Sequence, residues 1–227
     1  HENKIIENEN DFEKKKIANG NSGCEDPRIT RIGKDLYVCY TAFDSIGPPR
    51  VAISSISEKD FEDRNWNWSK PALITPPGFD DKDTCIFPGK FKQGYFFLHR
   101  VGNEICGDYF KTLDFHENMI SKCIRVIGPR TNMWDSLKVG ISAQPIETKH
   151  GWLMLYHGVS KSHSTYRVGA LLLDLKDPSI VLARSTDAIF SPEEQYEKQG
   201  VVNNVVFPCG MLLRDDTLFV YYGGGDK

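Results

Sequence analysis

Four stretches of this chain share one grammar, and that repetition limits the fold more than any other feature. They are "DPRITRIGKDLYVCYTAF", "FPGKFKQGYFFLHRV", "QPIETKHGWLMLYHGV" and "FPCGMLLRDDTLFVYYGG". Each has a proline, a short strand-like run, a polar turn and then an apolar, aromatic strand. The prolines are Pro27, Pro88, Pro145 and Pro208, spaced by 61, 57 and 63 residues. A period this long has room for about four short strands, which suits one propeller blade per repeat. A sandwich would not be expected to repeat so regularly. The turns carry hairpin chemistry: Gly33-Lys34-Asp35, Lys92-Gln93-Gly94, Lys149-His150-Gly151 and Arg214-Asp215-Asp216.

Between these landmarks, β-type runs at 36–43, 50–56, 94–101, 152–159, 167–175 and 217–222 alternate with Gly, Pro, Asn and Asp. No long window carries a helical stripe, so the chain reads as all-β. Residues 1–20 are charged and poorly periodic, and are expected to be a surface loop or the tail of a missing element. The prolines are expected to begin the innermost strands of successive blades.

Composition narrows the function. The chain has 227 residues, 40% hydrophobic and 26% charged, with a formal net charge of −3. No basic excess argues for nucleic acid, and no apolar run reaches membrane-spanning length. A small molecule or another protein is the expected partner. The chain opens on His1 without a secretory apolar segment, which reads as a removed leader or a start inside a longer chain. Cys24, Cys39, Cys85, Cys106, Cys123 and Cys209 form no CxxC pair, so no zinc or redox site is expected. Reduced thiols in a cytoplasm are the economical reading, and disulfides stay open.

The stretch "GCEDPRIT" puts Glu25 and Asp26 at the mouth of a strand. A polar turn explains it simply, because Asp before Pro is a common turn opener, proline fixing its own φ and biasing its predecessor toward extended geometry. A carboxylate held on a rigid element for catalysis is the alternative. Other repeat ends are also polar: Tyr40 and Thr41, His99 and Arg100, Tyr156 and His157, Tyr221 and Tyr222. Near the prolines lie Glu25 with Asp26, Lys82 with Asp83, and Lys138. Each alone reads as a surface residue or a satisfied strand histidine. Together they suggest a polar funnel for a hydroxylated or anionic ligand.

"GCEDPRIT", "KDTCIFPGKF", "FFLHR", "WDSLKVG", "GWLMLYHGV", "YRVGALLLDLKDPSIVLAR", "PEEQYEKQGVVNNVVFPCG" and "FVYYGGGD" resemble glycoside hydrolase family 130, which holds β-mannoside phosphorylases and β-1,2-mannosidases. The resemblance runs in order from about Gly23 to the last residue. It implies a five-bladed β-propeller, here lacking its N-terminal blade, with residues 1–227 forming a single catalytic domain. A closed four-bladed form is the structural rival.

The resemblance also implies an inverting mechanism. Phosphate attacks the anomeric carbon of a terminal mannose, releasing α-mannose 1-phosphate from a β-1,2- or β-1,4-linked manno-oligosaccharide. Asp26 matches the catalytic acid, its proton passing through a sugar hydroxyl to the departing oxygen. Glu25 could raise the pKa of that acid, and Arg28 could orient either carboxyl or be a strand-surface charge.

Lys138, His157 and Tyr166 match phosphate-contacting positions, and are expected to converge on one oxyanion-sized site across the funnel from Asp26. Lys82 and Asp83 match a pair that some relatives carry as arginine and asparagine. His99, Arg100 and Asp226 match sugar- or phosphate-lining positions, and Trp134 with Asp135 could frame the acceptor side. Trp152 reads as core. No metal or organic cofactor is implied, only inorganic phosphate as co-substrate, and a homo-oligomer is compatible with the family.

Three other readings compete. A hydrolase would need a carboxylate base well separated from the acid; Glu193, Glu194 and Glu197 are the candidates, against a plain reading as solvated loop acids. A sugar-binding propeller without activity is the non-enzyme alternative. A glycosidase using three carboxylates would draw on Asp83 and Asp226.

Overall fold

The computed structural model describes residues 10–19, 22–116 and 118–226. Strands dominate, in four antiparallel sheets built in chain order. The first contains β1 (Gly23–Ile32), β2 (Asp35–Phe43), β3 (Arg50–Ser57) and β4 (Ala72–Leu73). The second contains β5 (Asp81–Phe91), β6 (Gly94–Val101), β7 (Glu104–Phe110) and β8 (Ile124–Ile127). In the third, β9 (Lys138–Ile141) and β10 (Ile146–Thr148) both pair with β11 (Gly151–Val159), followed by β12 (Tyr166–Leu173) and β13 (Val181–Arg184). The fourth is the hairpin of β14 (Val206–Arg214) and β15 (Thr217–Gly224). Among the described residues two short helices, α1 (Glu58–Glu62) and α2 (Gln195–Lys198), accompany the strands. Five of the six β-type runs expected from sequence lie within strands, and the run 167–175 outlasts β12 by two residues.

By contacts the chain forms two compact units, His1–Phe97 with Tyr109–Lys122, and Leu98–Asp108 with Cys123–Lys227. The first has a core of Cys39, Val51, Ile53, Ile74, Ile86, Phe97 and Phe110. The Thr30 hydroxyl donates to the Ile86 carbonyl (2.8 Å), tying β1 to β5. In the second unit, Leu155, Val168, Val206 and Met211 form a core, and Trp152 is buried, as expected.

The prolines keep their repeat register but not their expected place. Pro27, Pro88 and Pro208 stand inside β1, β5 and β14, and only Pro145 directly precedes its strand. Two of them sit at register shifts, between Glu25 and Arg28 and between Pro208 and Gly210. Such bulges, and strands at the edge of a sheet, accept a residue that lacks an N–H.

A second correction concerns part of the N-terminal segment; residues 14–19 are exposed, as expected of a surface loop. Glu13 is fully buried and accepts a hydrogen bond from the Tyr40 hydroxyl. Phe12 packs on Val38, Tyr40, Ala42 and Ala52, and Lys16 pairs with Asp44 (2.6 Å). This part of the segment therefore anchors to the first sheet rather than lying loose on it. A third concerns the thiols. Cys106 and Cys123 form a disulfide, while Cys24, Cys39 and Cys85 are free thiols.

The repeat also shows in a backbone detail. Gly94 opens β6 at φ 138°, and a Cβ there would lie 2.4 Å from the carbonyl oxygen of Phe110, at the end of β7. Gly151 opens β11 at φ 150°, and its Cβ would lie 2.5 Å from the carbonyl oxygen of Leu173, at the end of β12. Both slots demand positive φ and no side chain. Gly151→Ala is expected to cost about 2 kcal/mol or more of stability, measured by urea unfolding. A loss below about 0.5 kcal/mol would contradict the steric reading.

Candidate active site

In the first unit, Asp26 stands in a bulge. Glu25 pairs with Thr41 and Arg28 with Cys39, so Asp26 and Pro27 together face the single residue Tyr40. Asp26 adopts φ 53°, a left-handed conformation that Asp and Asn tolerate better than most residues. The bulge re-aims this side chain relative to the regular strand.

Arg28 fixes the bulge. Its guanidinium is buried and donates to the Asp26 carbonyl (2.7 Å), with Asp83 Oδ1 3.7 Å away. It is thus an orienting residue and not a surface charge. Asp83 is buried and has φ 56°. Burial pushes the Asp26 carboxyl up to about 6; Arg28 opposes the rise, Asp83 and Glu25 add to it, and Lys82 opposes it. Glu25, Arg28, Lys82 and Asp83 therefore belong to one electrostatic cluster around Asp26.

In the second unit, Lys138 on β9 and Tyr166 on β12 both pair with Val159 on β11. Paired residues of antiparallel strands present their side chains to the same face, as do positions two apart on one strand. Lys138, Tyr166 and His157 therefore share one face. Lys138 Nζ donates to the Tyr166 hydroxyl (2.5 Å) and lies 4.6 Å from the centre of its ring. The His157 ring is 5.9 Å from that of Tyr166 and 4.6 Å from that of Phe207. The three expected residues are brought together. Phe207, beside a repeat proline, is an aromatic wall to which sequence reasoning gave no role.

The opposite face of β11 holds a different network. Asp135 is fully buried and meets Arg184 (2.6 Å), Arg130 (2.8 Å) and the Tyr156 hydroxyl (2.8 Å). Burial alone would raise its pKa, but hydrogen bonds from Arg130 and Tyr156 and the charge of Arg184 outweigh that and hold it below the usual carboxylate value. Trp134 stacks on Tyr156 with ring centres 5.5 Å apart and donates to the Thr186 carbonyl (3.0 Å). The expectation that Asp135 binds sugar is corrected: its oxygens serve internal partners. Arg130 and Arg184 went unassigned in sequence because an arginine at a strand or loop end usually reads as solvated.

His99 is buried and Arg100 half-buried on β6. As successive strand residues they face opposite ways, so they do not line one surface together. Asp226 is exposed, at φ 58° after Gly225. Of the candidate bases, Glu193 and Glu194 are exposed, matching solvated loop acids. Glu197 is buried and caps α2, accepting from the backbone N–H groups of Glu193 (2.6 Å) and Glu194 (2.8 Å) and from the Tyr222 hydroxyl (2.7 Å). Burial would raise its pKa, but these bonds hold it low, the wrong direction for a base. Among the described residues, no group of three or more His, Cys, Asp or Glu is placed to hold a metal, and no helix is long and apolar enough to cross a membrane.

A family model described as beta-1,4-mannooligosaccharide phosphorylase, Glyco_hydro_130, matches residues 2–227. The chain belongs to glycoside hydrolase family 130. Among family 130 relatives, a 1,2-beta-oligomannan phosphorylase of Thermoanaerobacter sp. (strain X514) is 38% identical over 207 residues, covering 90% of this chain and 65% of that one. A beta-1,2-mannobiose phosphorylase of Listeria innocua is 37% identical over 206 residues, covering 90% and 55%. The solved complex of beta-1,2-mannobiose phosphorylase from Listeria innocua with beta-1,2-mannobiose superposes with a TM-score of 0.81 at 34% identity, over 100% of this chain and 60% of that one. The chain thus spans less than two thirds of the length of these relatives.

The geometry around Asp26 makes a paired prediction. Asp26→Asn keeps shape and tolerates the same backbone, but removes the proton and the buried charge. In the acid role that the family resemblance implies for Asp26, activity on a mannoside with a poor leaving group should fall on the order of 10²- to 10⁴-fold. The folded pKa of Asp26 is raised, so between the unfolded value and about 6 the native state binds the extra proton, and wild-type stability falls as pH rises through that window. The variant lacks this loss, so its melting temperature relative to wild type should be higher at pH 8 than at pH 4. Equal differences at both pH values would show that Asp26 is not perturbed.

Proposed function

We propose that the chain carries the catalytic residues of an inverting β-mannoside phosphorylase. A phosphate oxygen forms the new bond to C1 of the terminal mannose as the glycosidic C1–O bond breaks on the opposite face. The product is α-mannose 1-phosphate. Asp26 gives its proton, directly or through a sugar hydroxyl, to the departing oxygen. The pKa of about 6 supports this role, since an acid must hold its proton near neutral pH.

The observation that carries the reading is the Lys138–Tyr166–His157 cluster. An ammonium, a phenol and an imidazole on one face form a donor set suited to an oxyanion. Phosphate arrives already anionic and needs no protein base. The carboxylates weighed as bases support the same choice: two are solvated and Glu197 is committed to a helix cap. Lys82 belongs to the charge cluster around Asp26.

Mannosides as substrates follow from family membership. β-1,2 linkages are favoured because the relatives at 37–38% identity over 90% of the chain are named for them. The family's five-bladed propeller, with residues 1–227 as one catalytic domain, is part of the same proposal. So is a cytoplasmic setting, against which the Cys106–Cys123 bond stands.

Lys138→Ala and His157→Ala should each raise the KM for phosphate roughly tenfold or more, with a much smaller change in mannoside affinity. Steady-state kinetics with phosphate varied at saturating mannoside checks this. An unchanged phosphate KM in both variants would remove the phosphate site from this cluster.

A further inference from the structure

Two short stretches outside the strands repeat one pattern: Asn10-Asp11-Phe12-Glu13-Lys14 and Glu194-Gln195-Tyr196-Glu197-Lys198. Both fold alike. The N–H groups of Glu13 and Lys14 donate to the Asn10 carbonyl (2.9 and 3.2 Å), as those of Glu197 and Lys198 do to the Glu194 carbonyl (3.1 and 3.0 Å). Each glutamate turns back to accept from the N–H three residues before it, at 3.1 Å for Asn10 and 2.8 Å for Glu194. Its other carboxylate oxygen accepts from a tyrosine hydroxyl, Tyr40 of β2 for Glu13 and Tyr222 of β15 for Glu197. Those tyrosines stand at matching places. Tyr40 lies opposite the bulge of β1, and Tyr222 pairs with Pro208 at the register shift of β14.

A repeated clasp of this kind needs a reason. Glu13 and Glu197 are buried, and a buried ion is weak evidence for stability, since well-packed apolar residues often hold a fold as well. What a charged acceptor adds is a strong, directed bond. Direction matters in the first unit. Asp26 has φ 53°, and a left-handed residue other than glycine persists only where its surroundings over-determine it. Arg28 holds the Asp26 carbonyl (2.7 Å). Glu13 holds both strands at the bulge: it accepts from Tyr40, which faces the bulge, and from the thiol of Cys24, two residues before Asp26. Cys24 pairs with Ala42, so Cys24, Ala42 and Tyr40 share one face of the sheet. Burial, the Glu13 charge and this bond push the thiol up to about 12, so Cys24 stays a donor.

We propose that Glu13 and Tyr40 are positioning residues for Asp26, clasping the bulge so that its carboxyl is aimed and kept half-buried. The inference rests on the acid role given to Asp26 above. Glu13 acts through Tyr40 and Cys24. Loss of the clasp slows cleavage that needs a proton and spares cleavage that does not.

The test uses the full-length protein and four variants: Tyr40→Phe, Glu13→Gln, Tyr222→Phe and Asp26→Asn. kcat is measured with phosphate on β-1,2-mannobiose, whose departing oxygen needs a proton, and on a dinitrophenyl β-mannoside, whose phenolate leaves without one. The Asp26 carboxyl is titrated by carbon NMR and assigned by its loss in Asp26→Asn. Arg28, Asp83, Glu25 and Lys82 are the charges that act on Asp26; Tyr40→Phe leaves all four in place, so a moved midpoint reports geometry. In Tyr40→Phe and Glu13→Gln the mannobiose-to-aryl ratio of kcat should fall about tenfold with the phosphate KM unchanged. The Asp26 midpoint should move from about 6 toward the ordinary carboxylate value. Tyr40→Phe decides the matter if Glu13→Gln does not fold. A ratio unmoved in Tyr40→Phe although Asp26→Asn lowers it would overturn the inference, as would an unmoved midpoint or the same changes in Tyr222→Phe. An unmoved ratio in Asp26→Asn would sink the acid reading instead, and the midpoint in Tyr40→Phe would then decide whether the clasp holds Asp26.

Discussion

The buried carboxylate of Asp135 organises the second unit. Two guanidiniums and a phenol converge on it from three places: Arg130 on its own loop, Arg184 at the end of β13, and Tyr156 in the middle of β11. Removing one member of such a group leaves uncompensated charge behind, which typically costs about 3–5 kcal/mol. The network ties the loop before β9 to the strands on either side of the sheet. That fixes where β9 begins, and hence where Lys138 stands relative to Val159 and Tyr166. Strand alternation does the rest: Tyr156 points into the network and His157, its neighbour, into the cation cluster.

Under the proposed function, the first unit solves a different problem. An acid catalyst must keep its proton near neutral pH, yet a carboxyl in water loses it near 4. Half-burial supplies the upward shift, and neighbouring carboxylates add to it. Arg28 opposes the shift and also holds the bulge by binding the Asp26 carbonyl. Stability and function pull apart in this reading: ionising a half-buried aspartate destabilises the fold, while the raised pKa that results helps it keep the proton that a donor needs.

The all-β architecture was legible because it rests on local patterns: alternating apolar runs, two-residue turns and a repeating proline. Glycines at the starts of β6 and β11 turn that repeat into a backbone requirement. Lys138, His157 and Tyr166 were legible through family resemblance, and register explains why they meet despite lying 19 and 9 residues apart. Partners in burial were not legible. Asp135 read as an acceptor-side residue because it adjoins Trp134, whose ring suits a sugar face, and nothing local announces two arginines arriving from residues 130 and 184. Glu13 looked solvated for the same reason, although Tyr40 buries it. The Cys106–Cys123 bond depends on proximity that spacing alone does not encode.

The central claim is that phosphate, not water, takes the mannosyl group. Incubating the full-length protein with β-1,2-mannobiose, with and without inorganic phosphate, and following products by proton and phosphorus NMR tests it directly. The account predicts α-mannose 1-phosphate and one equivalent of mannose when phosphate is present, and no cleavage when it is absent. Release of two equivalents of free mannose without phosphate would contradict it.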